Sequence, residues 1–321
     1  MTCWGMESNQ SWPHSSQPLL PPSIDPYLYF VARVPKLRNR ENNPVLFDEL
    51  ASLPNVELLE GPLTDHSVIA DLFRGADIAF INTTSWGDEV AIGKALADAA
   101  KKERVKHFIF SSATDHSLHP PPGRLPGLPY WRTKAEVERY VRQIGLPATF
   151  VYLGCYFENF SAWDIPLWGI VWKENEAGVE ELTWRAPFAE GERLPFLDVD
   201  HDLGPSVVQI MKDGVGKWGG ASIPLAFELL TPLEFVQRFS AGLGVKVRYE
   251  YSPVVEVKYK IPSGYREQLE GIVRIFGREG GGEEYFPPGV GGVETARSIW
   301  EGWRGVEEFA REVWIPTEGR P

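Results

Sequence analysis

Apolar runs of strand composition recur along this chain, separated by stretches long enough to be helices. That alternation restricts the fold more than any other feature. The runs "YLYFVAR" (27–33), "NVELLEG" (55–61), "DIAFINTT" (77–84), "KHFIFSS" (106–112) and "ATFVYLG" (148–154) are rich in β-branched and aromatic residues. Between them lie "PVLFDELASL", "TDHSVIADLFRGA", "GDEVAIGKALADAAKKERV" and "PYWRTKAEVERYVRQIG", which carry helical periodicity. Thr64 or Asp65 stands where the second of these needs a cap, and Gly75 and Gly145 stand where two of them should stop. Strands joined through helices cannot form hairpins. They pair in parallel with right-handed crossovers, so the expected fold is α/β, a doubly wound Rossmann-type sheet. Ligands of such sheets bind at the carboxyl ends of the strands.

The remainder divides by composition. Residues 1–26 are rich in Pro and Ser, show no period, and read as a disordered leader. A Rossmann-type domain is expected over 27–153, with 196–230 returning to it. The segments 154–195 and 231–321 are assigned to a smaller, mixed C-terminal lobe. In the returning segment, "LPFLDVDHDLGPSVVQIMKD" reads as strand then helix with Asp202 as N-cap, and "ASIPLAFELL" reads as one strand. "TPLEFVQRFSAGLG" reads as a helix capped by Thr231 with Pro232 in its first turn. The chain holds 12 Trp, most of them from Trp163 onward, which points to an aromatic pocket, a partner surface or simply the core of that lobe.

Charge and cysteine content exclude several classes. Net charge is −12 and no basic run occurs, so direct nucleic-acid binding is not expected. The only cysteines, Cys3 and Cys155, cannot build a disulfide framework. No Lys or Arg precedes Arg33, and no apolar run approaches membrane-span length. The expected location is the cytoplasm, with the nucleus as a second compartment.

Taken alone, the motifs are modest. Tyr130 and Lys134 are four apart, which places a phenol and an ammonium on one helix face. The ordinary alternative is an apolar stripe that starts at Tyr130, with Lys134 solvated. "DVDHDLG" from Asp198 lacks the Gly and Glu of a calcium loop, having Leu203 and Gln209 there. "DHSLH" (115–119) offers only two histidines in a loop before prolines, so no metal site is expected. "GREGGGEEYFPPGVGG" does not sit between a strand and a helix and is not a nucleotide fingerprint.

Several segments together resemble the NmrA-like family of atypical short-chain dehydrogenase/reductases: "VKHFIFSS", "KAEVERYVRQIGLPATFVYLGCYFENF" and "FLDVDHDLGPSVVQIMKD". The resemblance runs from about Tyr27 to Thr231 and implies a Rossmann domain that binds NADP or NAD. By position, it implies that Arg33 faces the 2′-phosphate of NADP, that Thr83 and Thr84 lie against the cofactor, and that Lys134 sits near the nicotinamide ribose. It places Tyr156, Phe157, Glu158 and Asn159 along the pocket. With Tyr130 as acid/base, Lys134 lowering the phenol pKa, and Ser112 orienting a carbonyl, the implied activity is an NAD(P)H-dependent oxidoreductase. Its substrate would be a small organic carbonyl or alcohol, in secondary metabolism. The same resemblance supports a second reading, a non-enzymatic NADP(H) sensor that regulates transcription through a protein partner. The family's first strand and its glycine-rich loop are missing, because Gly5 is the only glycine before Gly61. Cofactor binding is therefore expected to be weak or absent in this chain as written. Either a first exon lies upstream of this reading frame or the chain is a decayed member, and the intact later pattern favours the former.

Overall fold

The computed structural model describes residues 50–314 apart from 55, 58, 60, 85–86, 161–165, 176, 256, 258–263 and 277–284. The leader, the "YLYFVAR" run and Arg33 lie outside the described residues. The chain divides into two compact units, one of Met1–Asp77 with Lys94–Val105, the other of Ile78–Gly93 with Lys106–Pro321.

In the first unit, helix α1 (His66–Phe73) begins where Asp65 accepts the Ser67 N–H at 2.8 Å, so of the two candidate caps it is Asp65 that acts. Gly75 follows at φ +71°, as the stop required. Ile69 and Phe73 of α1 are buried, as are Leu96, Ala97 and Ala100.

The second unit holds the sheet. Strands β1 (Ile78–Ile81), β2 (His107–Ser112), β3 (Ala148–Leu153) and β8 (Ser222–Leu225) pair in parallel in that order among the described residues. Every residue of β2 is buried, as expected for a parallel strand covered on both faces. Helix α2 (Glu89–Lys102) follows β1 and α3 (Pro129–Gln143) precedes β3. Pro129 opens α3 in its first turn, where the missing N–H costs nothing, and Ala135, Val137 and Val141 form its buried face.

Two smaller sheets complete the unit among the described residues. One contains β4 (Cys155–Tyr156), β7 (Leu194–Leu197) and β9 (Glu228–Leu230), with β4 parallel to β7 and β9 antiparallel to it. The other contains β5 (Ile170–Glu174), β6 (Glu180–Ala186) and β10 (Val247–Tyr251). Four further helices carry later contacts: α4 (Val199–Asp213), α5 (Val215–Trp218), α6 (Pro232–Leu243) and α7 (Tyr265–Phe276). The chain then forms α8 (Val293–Ile299) and α9 (Val306–Glu312).

Aromatic side chains fill the space between these small sheets and α6. Phe160 stacks on Phe235 with centroids 4.2 Å apart, and Trp184 meets Phe160 edge-on at 4.8 Å. Trp184 is fully buried and donates its indole N–H to the Leu167 carbonyl at 2.7 Å. Cys155 belongs to the same core, and burial pushes its thiol pKa well up.

Three local expectations change. "ASIPLAFELL" is not one strand. It breaks after Leu225, so that β8 joins the large sheet while β9 joins β7. The N-cap of α4 is Asp198, which accepts the His201 N–H at 2.9 Å, and Asp202 lies inside the first turn. The irregular aromatic stretch after Gly154 contains the β5–β6 hairpin, whose apolar composition masked its alternation. Thr231 does cap α6, in a reciprocal box with Glu234. No helix among the described residues is long and apolar enough to cross a membrane.

Candidate functional site

Lys134 lies where the end of β1 meets the first turns of α2 and α3. A close helix contact creates this meeting. A Cβ at Gly93 would lie 2.4 Å from Val137 Cγ2, so glycine is what lets α2 approach α3 so closely. Glu89 is one turn before Gly93, and Thr133 is one turn before Val137, so the contact brings the two polar residues face to face.

The resulting network is closely bonded. Lys134 Nζ lies 3.2 Å from Glu89 Oε1, donates to Asn82 Oδ1 at 3.2 Å, and donates to the Thr83 carbonyl and hydroxyl oxygens. Thr83 Oγ1 donates to Glu89 Oε1 at 2.7 Å, and the Thr133 hydroxyl donates to Glu89 Oε2. The side chain of Glu89 is only 1% exposed and that of Lys134 15%, so this is a buried pair with its remaining capacity met by neutral groups. Burial lowers the Lys134 pKa, and the Glu89 charge opposes that shift.

Tyr130 is engaged elsewhere. Its ring stacks on Tyr265 at 6.5 Å, and its backbone N–H donates to Gln268 Oε1 at 3.1 Å, both contacts being to α7. The phenol pKa is raised, first by burial and then by Glu267. This is opposite to the lowering by Lys134 that the Tyr-x-x-x-Lys spacing led us to expect. Ser112 donates its hydroxyl to Glu138 Oε2, an oxygen that also accepts from the Tyr152 hydroxyl at 2.5 Å. Arg142 closes that second network by donating to Glu138 Oε1 at 2.9 Å. Among the described residues, the bonds of Lys134 go to Asn82, Thr83 and Glu89, and none goes to Tyr130 or Ser112.

The structure therefore brings Thr83 to Lys134, while Thr84 follows Thr83 as a half-buried residue. Tyr156 pairs in β4 opposite Leu197, and Phe157 is fully buried against Phe196, Phe235 and Phe309. Phe157 is thus part of the core. Glu158 accepts the Asp200 N–H at 2.9 Å and is pushed up to about 9, chiefly by burial and then by Asp198. Asn159 is half-buried at the end of the 3-10 turn Phe157–Asn159. Sequence reasoning passed over Glu89, Thr133 and Glu138. The available signal for Glu89 was an acidic residue opening a helix just after "INTT", where a carboxylate suits the helix N-terminus. The "DHSLH" histidines stack on each other at 5.0 Å beside Trp131, as parts of a packed turn.

Thr83 and Thr84 follow the carboxyl end of β1, the edge at which ligands of parallel sheets bind.

The model of the NmrA-like family matches residues 38–310. The chain is 43% identical over 318 residues to the nitrogen metabolite repression protein nmr of Neurospora crassa, covering 88% of this chain and 63% of that one. It thus spans less than two thirds of that relative's length. It is 44% identical over 311 residues to the nitrogen metabolite repression protein nmrA of Emericella nidulans, covering 85% and 86%. An NmrA-like oxidoreductase of Aspergillus flavus, lnaB, is 28% identical over 272 residues, covering 78% and 77%. Crystal structures of the negative transcriptional regulator NmrA in complex with NAD and with NADP each superpose with a TM-score of 0.77. Their identity is 45%, covering 88% of this chain and 86% of theirs.

Proposed function

We propose that this chain, which belongs to the NmrA-like family, is a non-catalytic, dinucleotide-linked negative regulator of transcription that acts through a protein partner. The observation that carries this reading is the separate engagement of the three would-be catalytic groups. Lys134 is held by Glu89 and Thr83, Tyr130 lies against α7 with its phenol pKa raised, and Ser112 is bonded to Glu138. An acid/base phenol needs its proton to be easy to move near neutral pH, and burial beside Glu267 works against that. The names of the 43–44% identical relatives, both nitrogen metabolite repression proteins, support the same reading.

In this reading Lys134 lies near the nicotinamide ribose, with Thr83 and Thr84 beside it, and NAD or NADP is a signal, not a reagent. The acidic balance of the chain suits contact with a basic protein surface. Two measurements test the proposal. Expression in an Emericella nidulans strain lacking nmrA should restore nitrogen repression. Purified protein should not consume NADPH with any of a panel of small carbonyls, and Tyr130→Phe should leave dinucleotide affinity unchanged. NADPH turnover that disappears in Tyr130→Phe would overturn the reading and restore the oxidoreductase alternative. Calorimetry should find NADPH binding weaker than micromolar for this chain as written.

A further inference from the structure

A lysine ammonium has three hydrogens to give and cannot accept. Four oxygens surround the one on Lys134: Glu89 Oε1 and Asn82 Oδ1 each at 3.2 Å, Thr83 Oγ1 at 3.3 Å, and the Thr83 carbonyl. One hydrogen is therefore shared, and none is left over. Any group that comes to Lys134 from outside must displace one of these acceptors. Which of them yields decides how the carboxyl end of β1 takes a ligand.

The acceptors are not equally easy to displace. The Glu89 side chain is almost wholly buried, and pulling it away would leave an unpaired charge on each side. Glu89 is also held from its other oxygen by the Thr133 hydroxyl. Thr83 is buried, and its Oγ1 is fixed by the hydrogen it gives to Glu89 Oε1 at 2.7 Å. The Thr83 carbonyl is part of the backbone just past β1 and has no side-chain rotation to carry it away. Asn82 differs on each count. It is neutral and half-buried, and it meets Lys134 through a side chain that can turn between rotamers. Turning it away leaves no buried charge unpaired, because Glu89 stays in place. The same rotation opens Nζ toward the side from which solvent reaches Asn82.

We propose that Asn82 is a placeholder on Lys134: a ribose hydroxyl of NAD or NADP takes the position of Asn82 Oδ1 and accepts from Nζ, while Glu89 and Thr83 keep their bonds. The exchange rests on the reading of Lys134 as a neighbour of the nicotinamide ribose. One neutral oxygen replaces another on the same ammonium, so Lys134 orients the ligand and adds little to its affinity. Asn82 satisfies the buried ammonium while the site is empty. It also weakens binding, by the hydrogen bond that must first be given up.

Two measurements on the full chain test the exchange. In calorimetry carried to millimolar ligand, NAD and NADP should bind Asn82→Ala about threefold to tenfold more tightly than wild type, the worth of one hydrogen bond no longer surrendered. Equal or weaker binding overturns the proposal. Without ligand, Asn82→Ala should speed the acetylation of Lys134 by acetic anhydride severalfold, read by mass spectrometry against the exposed Lys101 and Lys102. Unchanged labelling overturns it too. Asn82→Ser, too short to reach Nζ, should give both results if the alanine variant does not fold. Should neither dinucleotide bind wild type or variant while labelling still quickens, the dinucleotide reading of Lys134 has failed and the ribose falls with it. Should binding persist with affinity or labelling unmoved, the exchange alone has failed.

Discussion

Glu89 and Glu158 each place a carboxyl group near the N-terminus of a helix, yet the two surroundings treat that group in opposite ways. Glu89 meets an ammonium and the hydroxyls of Thr83 and Thr133, so every oxygen has a donor. Glu158 meets one backbone N–H and then Asp198, whose own acceptors are taken by His201 and Arg304. In the first region charge is cancelled by opposite charge. In the second, burial and then the neighbouring Asp198 push the carboxyl pKa up. The lesson is that burial alone does not set the state of an acid; the neighbouring donors decide it. Removing one carboxylate should therefore destabilise the first region and relieve the second.

The largest expected effect is from Glu89→Ala. It leaves the Lys134 ammonium buried with only neutral partners, and breaking such a pair costs about 3–5 kcal/mol. Urea denaturation at neutral pH would measure the loss, and an unchanged midpoint would mean that the pair adds nothing. Gly93→Ala attacks the same region through packing. A methyl group 2.4 Å from Val137 Cγ2 must separate α2 from α3. The expected cost is about 1–3 kcal/mol, with Lys134 becoming more reactive toward acetylating reagents as Glu89 moves away.

Glu158→Gln should act in the opposite sense. The folded-state pKa is raised to about 9, above the unfolded value of about 4.3. The stabilisation from the bound proton is therefore complete below the unfolded value and is lost as pH rises toward the folded one. The variant lacks this loss, so its advantage over wild type should widen as pH rises, by up to about 1.4 kcal/mol per pH unit across that window. Denaturation curves at pH 6 and pH 8 would show the gap widening. A gap independent of pH would erase the contrast between the two regions. Ser112→Ala removes one of three donors to Glu138 and should cost about 1 kcal/mol, with no effect on dinucleotide affinity. Tyr130→Phe should change stability by less than about 0.5 kcal/mol, the smallest shift of the set.

The sequence showed the large sheet because strand composition and helix length alternated visibly from Asp77 to Gly154. Thr231 and Pro232 announced α6 in the same local way. The break inside "ASIPLAFELL" could not be read, because it depends on Leu194–Leu197, distant in sequence, arriving to pair with Glu228–Leu230. The Lys134 position was legible from its neighbours in sequence. Its partner Glu89 was not, since their meeting depends on a glycine that permits two helices to touch. The stacking of Tyr130 on Tyr265 joins residues far apart in sequence, so no local pattern announces it.

Trp184 gives the molecule an optical handle. Its indole is fully buried, hydrogen-bonded to Leu167, and fixed edge-on to Phe160 and to Tyr249 at 5.0 Å, with the Trp168 ring 6.4 Å away. Chromophores locked in one asymmetric arrangement should produce an intense near-ultraviolet circular dichroism signal that collapses when packing loosens, even where helices persist. That signal would follow the loosening of the aromatic interior, to which Phe160, Trp168, Trp184 and Tyr249 all belong.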